Sequence, residues 1–381
     1  GPLPVTGYML VTAMTVLIIA CPCALGLAAP ISVIVGMGKA AEYGTLIRNG
    51  EALQQASNLS AIILDKTGTI THGKPELAKI ITLGSLSEAR LLQLAASIEK
   101  GSEHPLGTAI VNAARSQNIE SLPVNEFEAI AGHGVSAQID NQKVWFGNDK
   151  LMLREKFDMS NAEPKARELA ALGHTPMFFA VENQIEGVIS VADLIKEDSK
   201  SAIGRLKAQG IKVIMLTGDN KVTASHVASL VGIDEVMAEV LPQEKSAKVK
   251  SLQEQGLLVG MVGDGINDAP ALAQADVGFA IGSGTDVAIE SADITLMRSS
   301  LHGVVDAIAI STATMGNIKQ NLLGAFVYNT LGIPIAAGVL YPFLGFFLNP
   351  MIAGAAMALS SATVVSNANR LRFFKPKGGA L

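Results

Sequence analysis

Ile62-Ile63-Leu64-Asp65-Lys66-Thr67-Gly68-Thr69 is the stretch from which the rest of this 381-residue chain can be read. A short apolar run of this kind reads as a buried parallel strand. It brings Asp65 to the strand's C-terminal end, the edge at which open α/β sheets bind ligands. A carboxylate held there can attack the γ-phosphate of ATP and carry the phosphoryl group covalently. Thr67, two residues further on, can bind phosphate or metal but cannot act as the acid–base that hydrolyses an acyl phosphate quickly. An intermediate on Asp65 is therefore expected to last long enough to drive another process.

Three more fragments carry phosphate-site chemistry. Thr217-Gly218-Asp219 follows the apolar run 212–217 and offers a hydroxyl and backbone N–H groups to a phosphoryl oxygen. Lys245, in Leu241-Pro242-Gln243-Glu244-Lys245, can reach the phosphate as a point charge. Gly263-Asp264-Gly265-Ile266-Asn267-Asp268 follows the run 258–263, and two carboxylates and an amide on a glycine-rich turn suit octahedral Mg²⁺ with retained waters. Further runs at 277–281 and 293–297 alternate with amphipathic stretches such as 221–231 and 243–254. That alternation predicts a doubly wound parallel sheet. An insertion over about 74–190 splits it, with a helical pattern at 86–99 and strand-like runs at 135–139, 143–147, 177–182 and 185–191, and predicts a small α+β domain.

The composition is too apolar for an ordinary soluble enzyme: 49% hydrophobic and 17% charged, with a mean hydropathy of +0.36. The excess is localised, because residues 1–38 and 320–369 contain no Asp, Glu, Lys or Arg. A bilayer core takes about 20 apolar residues per helix, so the first stretch supplies one span and the second has room for two. Tyr341-Pro342-Phe343-Leu344-Gly345 marks the turn between those two. Lys39 and Arg48 follow the first span, and Arg370, Arg372, Lys375 and Lys377 follow the last. The positive-inside rule then predicts cytosolic residues from about 40 to 300 and a chain start on the outer side, preceded by further sequence. The first stretch lacks a basic n-region and is too long for a signal peptide. A net charge of −5, with no basic run, argues against nucleic acid as a partner.

The two cysteines, Cys21 and Cys23, lie inside the first span and are too close for an ordinary disulfide, which says metal rather than staple. Pro22 between them lacks an N–H and kinks the helix, so both thiols are expected to face a pathway. Soft thiolates select Cu(I), Zn²⁺ or similar ions over Mg²⁺ or Ca²⁺.

In this order, D-K-T-G-T, T-G-D and G-D-G-I-N-D resemble the P-type ATPases, ion pumps that cycle through an aspartyl-phosphate. The inserted segment narrows the branch. Ser102-Glu103-His104-Pro105-Leu106-Gly107, Gly132-His133-Gly134 and Gly147-Asn148 resemble the nucleotide-binding domain of the heavy-metal-transporting members. The resemblance implies that Glu99, His104, Gly132, Gly134, Gly147 and Asn148 hold ATP. It also implies that Asp65 is the nucleophile, with Lys66, Thr217, Gly218, Asp219, Lys245, Asn267 and Asp268 around the phosphoryl group. Mg²⁺ would be held by Asp65, Thr67, Asp264 and Asp268. Tyr328-Asn329, with Met357 and Ser361, is similar to the transport route of the Cu(I)-exporting members, alongside Cys21 and Cys23. The zinc, cadmium and lead transporters typically carry an intramembrane Lys and Asp in these spans, and this chain has neither.

The expected fold is thus membrane α-helical spans plus α/β, a haloacid-dehalogenase-like parallel-sheet phosphorylation domain with an inserted α+β nucleotide-binding domain. Expected boundaries are 1–40 for the C-P-C helix, 41–73 and 191–300 for the phosphorylation domain, and 74–190 for the insertion. Two further helices over 301–372 and a tail over 373–381 complete it. The expected function is ATP-driven Cu(I) export, with Zn²⁺ or Cd²⁺ transport, or a non-pumping ATP- and metal-binding fragment, as alternatives. The resemblance further implies upstream spans, an actuator domain bearing T-G-E, a copper chaperone as partner, and the bilayer of a bacterial plasma (inner) membrane. No T-G-E and no C-x-x-C occurs in this sequence.

Overall fold

The computed structural model describes residues 5–101, 105–130, 132–219, 221–282, 286–345 and 347–378. They form two compact units: Gly1–Ala61, Val249–Met261 and Ala271–Leu381 in the first, and Ile62–Lys248 and Val262–Pro270 in the second. The strands in chain order are β1 Thr45–Ile47, β2 Ala61–Asp65, β3 Thr71–Thr82, β4 Asn125–Ile130, β5 Gly134–Ile139 and β6 Gln142–Gly147. They continue with β7 Thr175–Val181, β8 Gln184–Ile195, β9 Lys212–Leu216, β10 Glu235–Met237, β11 Val259–Gly263, β12 Val277–Ile281 and β13 Ile294–Leu296. The runs expected at 61–65, 212–217, 258–263, 277–281 and 293–297 are strands within a residue or two.

In the first unit the strand order is β1-β13-β12-β11. β12 and β13 are parallel, while the short β1 closes the edge antiparallel, pairing Thr45 with Leu296. Every residue of β12 is buried, as a strand covered on both faces requires.

The same unit holds the apolar helices. The C-P-C segment, expected as one kinked span, is two helices, Val5–Ala20 and Cys23–Glu42. Pro22 supplies no N–H to the preceding turn, and its φ of −85° and ψ of 50° lie outside the helix. Helix His302–Ala336 runs for 35 residues, and Pro350–Asn369 follows the short turn Tyr341–Leu344. Asn349 caps that last helix by accepting from the Met351 N–H at 2.8 Å, with Pro350 in the first turn. Val5–Glu42 and Pro350–Phe373 are long and apolar enough to cross a membrane. The His302–Ala336 helix falls short among the described residues, because Asp306, Lys319 and three asparagines dilute its apolar runs.

Those polar residues tie the helices together. Asn321 Nδ2 donates to Ser32 Oγ at 3.0 Å and to Asn317 Oδ1 at 3.1 Å. Asn367 Nδ2 donates to Asn321 Oδ1 at 2.8 Å, and Asn317 Nδ2 to the Asn367 carbonyl at 2.8 Å. Ser32, Asn317 and Asn321 are all buried. Three helices are thereby joined by paired polar groups at a depth where an unpaired one is costly.

The second unit carries the strand order β2-β9-β10, with β9 and β10 parallel. It also carries a six-stranded sheet in the order β3-β8-β7-β6-β5-β4, antiparallel at every pairing. Alternation along these strands sorts side chains to two faces. Val144, Phe146, Met177 and Phe179 join Leu91, Ile98 and Ile110 of the helices Glu88–Glu99 and Pro105–Ser116. Trp145, Phe178 and Ala180 pack instead with Ala166 and Leu169 of the helix Ala162–Ala171. Four strands escaped the sequence reading, the three-residue β1 and β10 among them. β3 passes through Gly73-Lys74-Pro75-Glu76 with two register shifts, and β4 is an exposed edge, so neither shows a buried alternation.

Asn321→Ala removes both its donor to Ser32 and its acceptor for Asn367. It should lower stability in detergent by about 1–2 kcal/mol, read from thermal unfolding, whereas Ala at exposed Thr330 in the same helix should change it little.

Candidate functional site

Asp65 ends β2 and is only 5% exposed. The chain then turns through Lys66–Ile70, where Gly68 has a φ of +72°. A Cβ at Gly68 would overlap the Asp264 carboxylate, so glycine is demanded by both conformation and close approach. Lys245 follows the Pro242–Glu244 turn and starts the helix Lys245–Gln253. Its Nζ lies 2.6 Å from Asp65 Oδ1 and 2.6 Å from Asp268 Oδ1. Asp268 Oδ2 accepts the Asp264 N–H at 3.3 Å and the Gly265 N–H at 3.2 Å, which folds the G-D-G-I-N-D turn onto its own carboxylate. One oxygen each from Asp65, Asp264 and Asp268 lie within 4.8 Å of one another. An oxygen-only donor set of this kind fits Mg²⁺.

Lys66 Nζ pairs with Asp219 Oδ2 at 2.6 Å, and the buried Thr217 Oγ1 accepts the Asp219 N–H at 3.1 Å. D-K-T-G-T, T-G-D, Lys245 and G-D-G-I-N-D therefore meet in one place. Thr67 and Asn267 are exposed beside it. Burial, and then the neighbouring Asp268, push the Asp65 carboxyl up to about 7 against the pull of Lys245. Asp264 is raised as well, by burial and by Asp268. For Lys245, burial favours the neutral amine, but the two carboxylates outweigh it and raise its pKa.

A second layer went unread in the sequence. Lys196 Nζ, 6% exposed, donates to the Gly68 carbonyl at 2.7 Å, and its own N–H reaches the Ile70 carbonyl at 3.0 Å. Ser199 Oγ donates to the same Ile70 carbonyl at 2.8 Å. Asp193 accepts from Thr71 Oγ1 and, at 2.8 Å, from the Gly73 N–H. These residues clamp the loop that follows Asp65. Burial lowers the pKa of Lys196, opposed by Asp198, Asp264 and Asp193. The available signal was the polar pair Asp193 and Lys196 closing an apolar run, the same logic that singled out Asp65.

The expected nucleotide residues border a cavity of about 360 Å³, within the range of small-molecule sites. Glu99, Gly107, Gly132, Gly134, Gly147 and Asn148 line it, with the apolar Leu106, Phe146 and Met177. His104 lies outside the described residues. Glu99 is 7% exposed, and its carboxylate occupies the space a Cβ at Gly107 would take. Gly134 and Gly147 are directly paired across β5 and β6, where a Cβ on either would overlap backbone. Only Gly132 faces open space. Asn148 caps the helix Asp149–Arg154, accepting the Leu151 N–H at 3.1 Å and donating to the Gly132 carbonyl at 2.9 Å. Sequence reading thus credited to ligand contact three residues that also hold the fold.

In the first unit Cys21 and Cys23 are free and exposed at the helix break. Asn329 Nδ2 donates to the Ile19 carbonyl at 2.8 Å. Met357 packs against the cluster of Ile19, Ala336 and Ala353. Tyr328 and Ser361 are half-buried on their helices.

A profile described as haloacid dehalogenase-like hydrolase matches residues 59–276, and the chain belongs to that family. Within the family its similarity is to P-type ATPases. It is 53% identical over 375 residues to the copper-exporting P-type ATPase of Vibrio cholerae, covering 98% of this chain and 41% of that one. Across the curated relatives it matches, the chain spans 41–50% of their length. A crystal structure of a zinc-transporting PIB-type ATPase in its E2.Pi state superposes with a TM-score of 0.84 at 35% identity, over 93% of this chain and 56% of that one. The catalytic domain of the CPx-ATPase CopB-B matches with a TM-score of 0.54 at 28% identity, over 71% and 98%.

A carboxyl that titrates at 3.8 when unfolded and at about 7 when folded binds more protons in the folded state between those values. Stability should therefore fall as pH rises from about 4 to 7. Without Mg²⁺, Asp65→Asn should be more stable than the parent by about 1–3 kcal/mol at pH 8, converging with it below about pH 4. A gap independent of pH, in thermal unfolding, would contradict this.

Lys196→Met should slow ³²P incorporation from ATP by about 10- to 100-fold through misplacement of the loop, with Lys196→Arg recovering part of the rate.

Proposed function

We propose that the chain is the catalytic and partial membrane portion of a pump that exports Cu(I) at the expense of ATP, through a phosphoryl group carried on Asp65. The observation that carries this reading is Lys245 Nζ held 2.6 Å from both Asp65 and Asp268, with Asp264 beside them. Asp65 attacks the γ-phosphate while Lys245, Thr217 and the Gly218 backbone face the charge on the transferring group. Asp268 fixes the lysine and the turn that presents Asp264 and Asn267. Asp65, Asp264, Asp268 and the Thr67 carbonyl are the groups for Mg²⁺, which when bound screens the charge of phosphate and carboxylates alike. Lys66 and Asp219 pair beside the site, where they orient the incoming phosphates. The cavity bordered by Glu99, Gly132 and Asn148 takes the nucleotide, with His104 as a further contact.

The cargo reading rests on sulfur and on charge. Cys21, Cys23 and Met357 are soft ligands; Ser361 shares the helix of Met357, and Tyr328 and Asn329 lie on His302–Ala336. Residues 320–369 offer no carboxylate to balance a divalent ion. The V. cholerae relative is named a copper exporter, which supports the same choice. Residues from about 40 to 300 lie on the cytosolic side of a bacterial inner membrane. A copper chaperone delivers the ion there, and further spans with an actuator domain complete the cycle.

In the full-length protein, Asp65→Asn should abolish hydroxylamine-labile ³²P labelling while leaving ATP binding largely intact. ATPase activity should rise with Cu(I) or Ag(I) and be lost in Cys21→Ser or Cys23→Ser. Stimulation by Zn²⁺ alone would overturn the cargo and leave the phosphorylation chemistry standing.

A further inference from the structure

A broken helix in an apolar setting has a backbone debt to settle. The helix Val5–Ala20 ends just before Cys21-Pro22, so its last carbonyls lose their in-helix donors. Pro22 has no N–H to offer Ile18, and the Cys21 N–H turns back to the Ile18 carbonyl at 3.4 Å. The next carbonyl, that of Ile19, accepts Asn329 Nδ2 at 2.8 Å from the helix His302–Ala336.

The surroundings are built for that contact. Ile19 is 1% exposed and packs with Ala336 and Ala353. One turn beyond Asn329, Gly332 lies so close to Ile19 that a Cβ there would overlap the isoleucine side chain. The small residue lets the two backbones approach, and the amide uses that approach. Ile19 is two residues from Cys21 and four from Cys23. Whatever fixes the Ile19 carbonyl therefore fixes the point from which both thiols are presented.

We propose that Asn329 is a positioning residue that holds the C-P-C break open through its Nδ2–H, and that its contribution to transport comes through this bond rather than through ligation of the ion. This deepens the Cu(I) reading of the same site and rests on it only for the identity of the ion. The donor is what matters, so glutamine, which keeps an amide N–H, should replace asparagine better than aspartate, which keeps the oxygen but not the N–H. A residue acting as an oxygen ligand would show the opposite order.

The test is made on the full-length protein with Mg²⁺ but without Cu(I), Ag(I) or Zn²⁺, so that its outcome does not depend on which ion is carried. Alkylation of Cys21 and Cys23 by iodoacetamide reports the geometry of the break. Asn329→Ala and Asn329→Asp should each change the alkylation rates by about three- to tenfold, as expected for loss of one buried hydrogen bond, with Asn329→Gln nearer the parent. Labelling of Asp65 by inorganic phosphate, which needs no transported ion, should stay within about twofold and shows that the variants fold. Alkylation rates equal to the parent in Asn329→Ala under those conditions, with Cu(I)-stimulated activity lost, would make Asn329 a ligand and overturn the proposal. Activity kept by Asn329→Asp but lost by Asn329→Gln would overturn it equally. A protein stimulated only by Zn²⁺, yet showing the expected alkylation pattern, would refute the copper reading and leave this inference intact.

Discussion

Three carboxylates, Asp65, Asp264 and Asp268, are gathered with their oxygens within 4.8 Å, two of them almost wholly buried, and Lys245 is the cation inserted among them. Carboxylates at this spacing repel strongly in a medium of low effective dielectric. Burial first, and then the neighbouring Asp268, raise the titration of Asp65, and Lys245 offsets them only in part. Much of the surrounding structure follows from containing the cluster. Asp268 is fixed by two backbone N–H groups of its own turn, Gly68 must be a glycine to pass Asp264, and Lys196 holds the loop from the other side. One lysine among three carboxylates leaves a deficit of positive charge. On the proposed reading a divalent cation fills it, so the same crowding that raises Asp65 would also make the site for the ion.

The membrane segments face the complementary constraint. There the difficulty is polar groups without water, and the remedy is again pairing. Ser32, Asn317, Asn321 and Asn367 satisfy one another across three helices, and Asn329 takes the carbonyl at the helix break. Neither feature is an isolated polar residue in an apolar stretch. Each is half of a pair whose other half lies tens or hundreds of positions away in the chain, as Ser32 does from Asn321.

That distance explains what the sequence made legible. The strand ends bearing Asp65, Thr217 and Asp264 could be read because apolar run, glycine and polar residue are contiguous, and the structure brings them together. The parallel strands and the helices at 221–231 and 243–254 were legible for the same local reason. β3 was not, because its pairing with β8 supplies a regularity that Gly73-Lys74-Pro75-Glu76 does not show. Lys196 was missed because its partner, the Gly68 carbonyl, is 128 positions away and is backbone, which leaves no mark in side-chain composition. Asn148, Gly134 and Gly147 were legible as important but their reasons were not. A residue that both caps a helix and borders a cavity looks in the sequence like one that does either.

Asn329 carries that ambiguity furthest. An amide has two ends, and in this structure the nitrogen is committed to the Ile19 carbonyl. Its second N–H and Oδ1 remain to face anything else. A residue that satisfies the backbone at such a place has a reason to be there apart from any ligand. The thiols differ: Cys21 and Cys23 are exposed at the break, and sulfur in an apolar helix has little structural work that alanine or serine could not do. On the proposed reading, selectivity falls to the cysteines and geometry to the asparagine. The proline between the thiols creates the vacancy that makes the second assignment necessary.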